Sequence, residues 1–210
     1  MKKNFLAVTL AASMLASMAM PAVAFAEETT DTQAVEATAE NTESTGVKRA
    51  ILDTDMSYLN DDAIVMFMLA QADKMGDCDF LGVTTVGGNT WSAVGTTAAL
   101  RQLELIGRSD IPVYMGTDVP LMGFRNMEAE SQIWGMPEYS GAYWNFNESC
   151  FGDVSQRPTD YKNLPTEPKY GYAETEAQDE HAVDFIIEQV HKYPGEVTIF
   201  VIGAGTNMAL

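Results

Sequence analysis

Ten consecutive residues, Asp53-Thr54-Asp55-Met56-Ser57-Tyr58-Leu59-Asn60-Asp61-Asp62, carry four carboxylates in two pairs. The first pair closes Lys48 to Thr54 (KRAILDT), which reads as a short buried strand. Side chains alternate along a strand, so Asp53 and Asp55 point to one side. The second pair opens Asp61 to Lys74 (DDAIVMFMLAQADK), a helix apolar on nearly every face and so expected inside a layered protein. At its start the helix dipole and free N–H groups favour negative charge. Four converging carboxylates repel one another, on the order of ~4 kcal/mol for unit charges ~4 Å apart in a protein-like dielectric. A cation resolves that repulsion. The candidate ligands are all oxygens, with no His or Cys beside them, which selects Ca²⁺ or Mg²⁺ over zinc. The plainer alternative is that one Asp caps the helix, one caps the turn, and the others are solvated.

The elements that must position these groups alternate along the chain. Phe80 to Val86 (FLGVTTV) reads as a second strand, Trp91 to Ile106 as a second helix and Ile111 to Met115 (IPVYM) as a third strand. After a break, a helix over Asp179 to Tyr193 closes at Pro194-Gly195, and a strand follows from Val197 to Ile202 (VTIFVI). This order predicts an α/β fold, a doubly wound, mostly parallel sheet with helices on both faces. Such sheets bind ligands beyond the carboxyl ends of their strands. Gly203-Ala204-Gly205-Thr206-Asn207 opens another helix that stops at Leu210 in mid-element, so a C-terminally truncated domain is expected.

Residues 1–26 read as a signal peptide: Lys2-Lys3, an apolar stretch from Phe5 to Met20, then Ala24-Phe25-Ala26 ahead of Glu27. Cleavage after Ala26 leaves no stable membrane anchor and a secreted or extracytoplasmic protein. Residues 27–46 hold six acids and no Lys or Arg, as a disordered linker does. Residues 47–210 then form one domain. The whole chain has 12 Lys+Arg against 30 Asp+Glu, a net charge of -18. Phosphate binding needs basic surface, so nucleic acid is excluded as a partner. Two cysteines, Cys78 and Cys150, give no disulfide framework and are expected as free thiols.

Two known uses of Asp-x-Asp can be weighed against these residues. A calcium loop of the EF-hand kind needs Gly at its sixth position and an acid at its twelfth, where this chain has Tyr58 and Ile64. A haloacid-dehalogenase-type, Mg-dependent phosphatase would use Asp53 as nucleophile and Asp55 as acid, but it has no need of Asp61-Asp62.

Ile51 to Leu69 (ILDTDMSYLNDDAIVMFML) resembles the opening motif of the inosine/uridine-preferring nucleoside hydrolase family: Asp-x-Asp, a loop, then Asp-Asp-Ala and a buried helix. The loop here is two residues longer than the usual one. Val83 to Asn89 (VTTVGGN), Ala182 to Glu188 (AVDFIIE) and Val197 to Leu210 (VTIFVIGAGTNMAL) also resemble that family. The resemblance implies a nucleosidase that splits ribonucleosides into base and ribose, with calcium activating the attacking water. By position, Asp55 is general base and calcium ligand, Asp62 binds calcium through both oxygens, and Ile202 lends its backbone carbonyl. Asp61 holds ribose hydroxyls, Asn89 orients ribose or water, and Asp53 fixes the loop. The family's remaining calcium-binding Asp and its adjacent His fall beyond Leu210. His181 and His191 flank a helix and do not replace them. A secreted nucleoside- or sugar-binding protein without catalysis is the alternative that uses the same pocket.

An insertion of about residues 123–172 interrupts the pattern with Phe124, Trp134, Tyr139, Tyr143, Trp144, Phe146, Phe151, Tyr161, Tyr170 and Tyr172. So many aromatics argue against disorder. Either they form a lid that stacks on the base, or the insertion packs on itself or on a neighbouring subunit of a homo-oligomer.

Overall fold

The computed structural model describes residues 46–121, 132–135 and 157–210. The expected signal peptide, nearly all of the acidic linker, Cys150 and much of the aromatic insertion lie outside them.

Strand β1 (Arg49–Thr54) is buried at every position but the first. That is the signature of a strand covered on both faces, where apolar residues run on without alternating with polar ones. Helix α1 (Asp61–Met75) starts at Asn60, whose side chain accepts the Ala63 N–H at 3.2 Å. It ends at Gly76, which takes the left-handed φ of 79° that glycine adopts without steric cost. Then come β2 (Asp79–Thr85), α2 (Ser92–Leu105), β3 (Val113–Met115), α3 (Ala182–Lys192), β4 (Val197–Val201) and the single turn α4 (Thr206–Ala209). β3 is shorter than the run 111–115 suggests, because Pro112 has no N–H to give a ladder. Its carbonyl still accepts from the Val83 N–H at 2.9 Å. Similarly α3 begins at Ala182 rather than Asp179, since the His181 ring accepts the Val183 N–H at 3.2 Å and caps the helix there.

The four strands are parallel and ordered β3-β2-β1-β4. Helices α1 and α2 cover one face over Ala50, Leu52, Met66, Val83 and Leu100. α3 covers the other with Phe185 and Ile186 on Ile51. Neighbours Ile51 and Leu52 thus serve opposite cores, the doubly wound arrangement expected. The chain builds outward from β1 to β3 and then returns to the far side of β1 with β4. The order reverses between β1 and β4, the place where sheets of this kind bind ligands beyond the carboxyl ends of their strands.

α1 differs from its expectation. Asp62, Ala63, Met66 and Ala70 are buried, but Ile64 and Met68 are 60% and 66% exposed. Only one stripe of the helix meets the sheet. Cys78 is a free thiol, and no helix among the described residues is long and apolar enough to cross a membrane.

Leu52→Ala should therefore cost about 2–5 kcal/mol in chemical denaturation. Met68→Ala, on the open side of α1, should stay within about 0.5 kcal/mol of wild type. Equal losses would contradict this division of the helix.

Candidate functional site

Asp55 stands one residue beyond β1, and its carboxylate is gripped by the loop after β2. The Asn89 N–H donates to Oδ2 at 2.7 Å and the Asn89 side-chain amide donates to Oδ1 at 3.2 Å. The grip depends on a glycine: a Cβ at Gly88 would overlap Asp55 Oδ2. From the other side, a Cβ at Gly203, just past β4, would lie 2.6 Å from the Asp55 nitrogen. The segments after β2 and β4 thus close around one residue, the first on its carboxylate and the second on its backbone.

Asp62, buried in the first turn of α1, accepts from Thr54 Oγ1 at 2.5 Å on one oxygen and from Asn60 Nδ2 at 2.6 Å on the other. Asp61 beside it is exposed. Burial raises the Asp55 carboxyl above its usual range; the Asn89 N–H lowers it, and the charges of Asp62 and Asp61 raise it further. A carboxylate that holds its proton more tightly than usual is a better proton acceptor.

Asp53 is 0% exposed. Its Oδ1 accepts from Thr84 Oγ1 at 2.7 Å and from Asn207 Nδ2 at 2.8 Å. Its Oδ2 is buried with no hydrogen-bond partner among the described residues. Burial raises this carboxyl too, against the two hydrogen bonds. Asn207 also donates to the Thr85 carbonyl at 3.0 Å and accepts the Thr117 N–H at 3.0 Å. One amide on α4 therefore joins β1, β2 and the loop after β3.

The four carboxylates do not converge as expected. Asp55, Asp61 and Asp62 influence one another, whereas Asp53 is turned into the layer beneath α4 by Asn207 and Thr84. Among the described residues no three His, Cys, Asp or Glu side chains gather as a metal-binding group. Asp55 and Asp62 present carboxylate oxygens, and the Ile202 N–H, just past β4, donates to the Asp53 carbonyl at 2.9 Å. Both carboxylates offer oxygens and the neighbouring charges are negative, which fits a hard divalent ion. The buried position of Asp53 corrects the phosphatase reading, because a nucleophile must reach its phosphorus. The Asn89 amide, expected on ribose or water, is engaged with Asp55. Sequence reasoning gave no role to Thr54, Asn60 or Asn207, although Asn60 stood as an N-cap residue before two acids and Asn207 lay in the segment Val197 to Leu210 already singled out.

Tyr161 and Tyr170 of the insertion meet the domain, and Tyr172 meets the insertion itself. Thr97 and Arg101 of α2 donate to the carbonyls of Tyr161 and Tyr170 at 2.6 and 2.8 Å. The Tyr170 ring meets Tyr58 edge-on, and the Tyr172 hydroxyl accepts the Leu164 N–H at 2.8 Å. Phe124, Tyr139, Tyr143, Trp144, Phe146 and Phe151 lie outside the described residues. Asp118 takes the place of a local cap for α2: it accepts the Ser92 N–H at 2.6 Å and lies 3.6 Å from the Arg157 guanidinium.

The family model for inosine-uridine preferring nucleoside hydrolases matches residues 50–210. Uridine nucleosidase 1 of Arabidopsis thaliana is 32% identical, over 78% of this chain and 39% of its own length. The inosine-uridine preferring nucleoside hydrolase of Crithidia fasciculata is 29% identical, over 78% of this chain and 42% of its own. A solved plant nucleoside hydrolase superposes with a TM-score of 0.50 at 30% identity, covering 77% of this chain and 41% of that one. The chain spans about two fifths of the length of the relatives it matches.

Asn207→Ala should cost about 1–3 kcal/mol, the penalty for leaving buried partners unpaired. Asn207→Asp should cost more at pH 8 than at pH 5. It sets a second carboxylate against Asp53, so the folded state holds a proton that the unfolded state has released, and stability falls as pH rises. Urea denaturation at both values checks this, and an equal loss at each would rule out the contact.

Proposed function

The chain belongs to the inosine-uridine preferring nucleoside hydrolase family, and from that premise we propose that the protein hydrolyses the N-glycosidic bond of ribonucleosides to free base and ribose. The observation that carries the reading is Asp55, held by Asn89 where the strand order reverses, with its proton affinity raised by burial and by Asp62 and Asp61.

In this proposal Asp55, Asp62 and the carbonyl of Ile202 would hold calcium, which when bound would orient and polarise the attacking water. Asp55 accepts the proton of the attacking water. Asn89 keeps that carboxylate aimed by binding both of its oxygens. Thr54 and Asn60 fix the two oxygens of Asp62. Asp61, exposed at the start of α1, accepts hydrogen bonds from ribose hydroxyls. As the bond to the base breaks, positive charge grows on the sugar, and the surrounding carboxylates stabilise it. Asp53 stays behind them and ties the loop to Asn207 and Thr84. The apolar N-terminal segment and its small-residue cleavage site support export, which the mature N-terminus of protein recovered from the medium would check.

Purified full-length protein, including the calcium-binding Asp and adjacent His expected beyond Leu210, should release reducing sugar from inosine or uridine and stop when a calcium chelator is added. Asp55→Asn, which keeps the shape but cannot take the proton, should lower kcat by roughly 10²–10⁴ with little change in melting temperature. Wild-type rates in that variant would remove Asp55 as the base. Nucleoside binding without turnover by the wild-type chain would favour a binding protein instead.

A further inference from the structure

Between Asp55 and Asp61 the chain runs through Met56–Asn60, the stretch that is longer here than in the motif it resembles. Its conformation is unusual. Among the described residues Leu59 is the one non-glycine with a left-handed backbone, at φ 45°. Branched and bulky side chains disfavour that region. The Leu59 side chain is 60% exposed, so packing does not hold it there.

What meets the loop is a side chain from α2. Gln102 is 1% exposed and sits in a helix between Leu100 and Leu103, both of which are core residues. A polar group in such a place is costly unless its hydrogen bonds are made. They are made to the loop: Gln102 Oε1 accepts the Leu59 N–H at 3.0 Å, and Nε2 donates to the Ser57 carbonyl at 3.1 Å. A third bond, from Nε2 to the Ala98 carbonyl at 3.0 Å, fixes the carboxamide against its own helix. Thr90 Oγ1 adds a bond to the Met56 carbonyl at 2.9 Å. The next residue, Asn60, caps α1 and donates to Asp62. A rigid path therefore runs from the interior of α2 through Leu59 and Asn60 to the carboxylate of Asp62.

We propose that Gln102 is a positioning residue: its carboxamide holds Leu59 in the left-handed conformation and so sets where Asp61 and Asp62 stand relative to Asp55. The anchoring stands on the hydrogen bonds alone; its consequence for catalysis rests on the hydrolase reading. Gln102→Met keeps the volume and removes all three bonds. Gln102→Glu keeps an acceptor for the Leu59 N–H but, when ionised, has no donor for Ser57. Leu59→Gly accepts the left-handed backbone without restraint, since glycine reaches it freely.

The test uses the full chain and these variants, with amide hydrogen exchange at residues 57–62, calcium titration by calorimetry, and ribose release from uridine. In Q102M the Leu59 amide should exchange at least tenfold faster and calcium should bind at least tenfold more weakly, while Leu100 and Leu103 keep their protection. Q102E should fall between. Adding Leu59→Gly to Q102M should restore most of the calcium affinity, which a merely space-filling role for Gln102 would not produce. If Q102M does not melt cooperatively, the same comparison is read from Q102E. Leu59 exchange within twofold of wild type in the folded variants overturns the proposal. Variants that show this exchange pattern beside a full-length wild-type protein that releases no ribose uphold the anchoring and sink the hydrolase reading.

Discussion

Asp61 and Asp62 bring like charge close to Asp55, and the burial of Asp55 already opposes ionisation there. The surroundings are arranged around that difficulty. Every side chain bonded to Asp53, Asp55 or Asp62 among the described residues is a neutral amide or hydroxyl: Asn89, Thr54, Asn60, Thr84, Asn207. Such donors orient a carboxylate without cancelling its charge. Arginines are used elsewhere. Arg49, at the opposite end of β1, pairs with Glu196 and Asp79, and Arg108 pairs with Asp73 and Asp110. Negative potential is thereby preserved around Asp55.

The frame was readable because a parallel sheet covered on both faces writes itself as unbroken apolar runs, and because Asn60 and Gly76 punctuate α1 with caps. The loop carboxylates were readable because their partners follow closely in sequence or recur as a short motif. Periodicity says nothing about partners that meet across the fold. Asn207 binds Asp53 from 154 positions away, and Gln102 looks like one more polar residue on a helix until the loop it serves is folded against it. The open face of α1 was hidden for a related reason: its exposed Ile64 and Met68 carry the same apolar signal as its buried Met66.

Elements far apart in the sequence therefore share one small region. α2 contributes to it twice, through Gln102 on the carboxylate loop and through its first N–H on Asp118. Asp118 leaves the sheet just after Thr117, whose N–H is bound to Asn207. A shift of α2 along its axis would be felt at both places.

The pairing of Asp118 with Arg157 has a consequence for how such a domain can change over evolutionary time. The chain departs at one residue and returns at the other, and the two are held within 3.6 Å. Closing a chain between fixed points costs entropy that grows only with the logarithm of its length, roughly 0.6 kcal/mol for each doubling. Closure alone accordingly sets only a weak limit on the number of residues between positions 118 and 157, whereas the carboxylates are held by hydrogen bonds of fixed length.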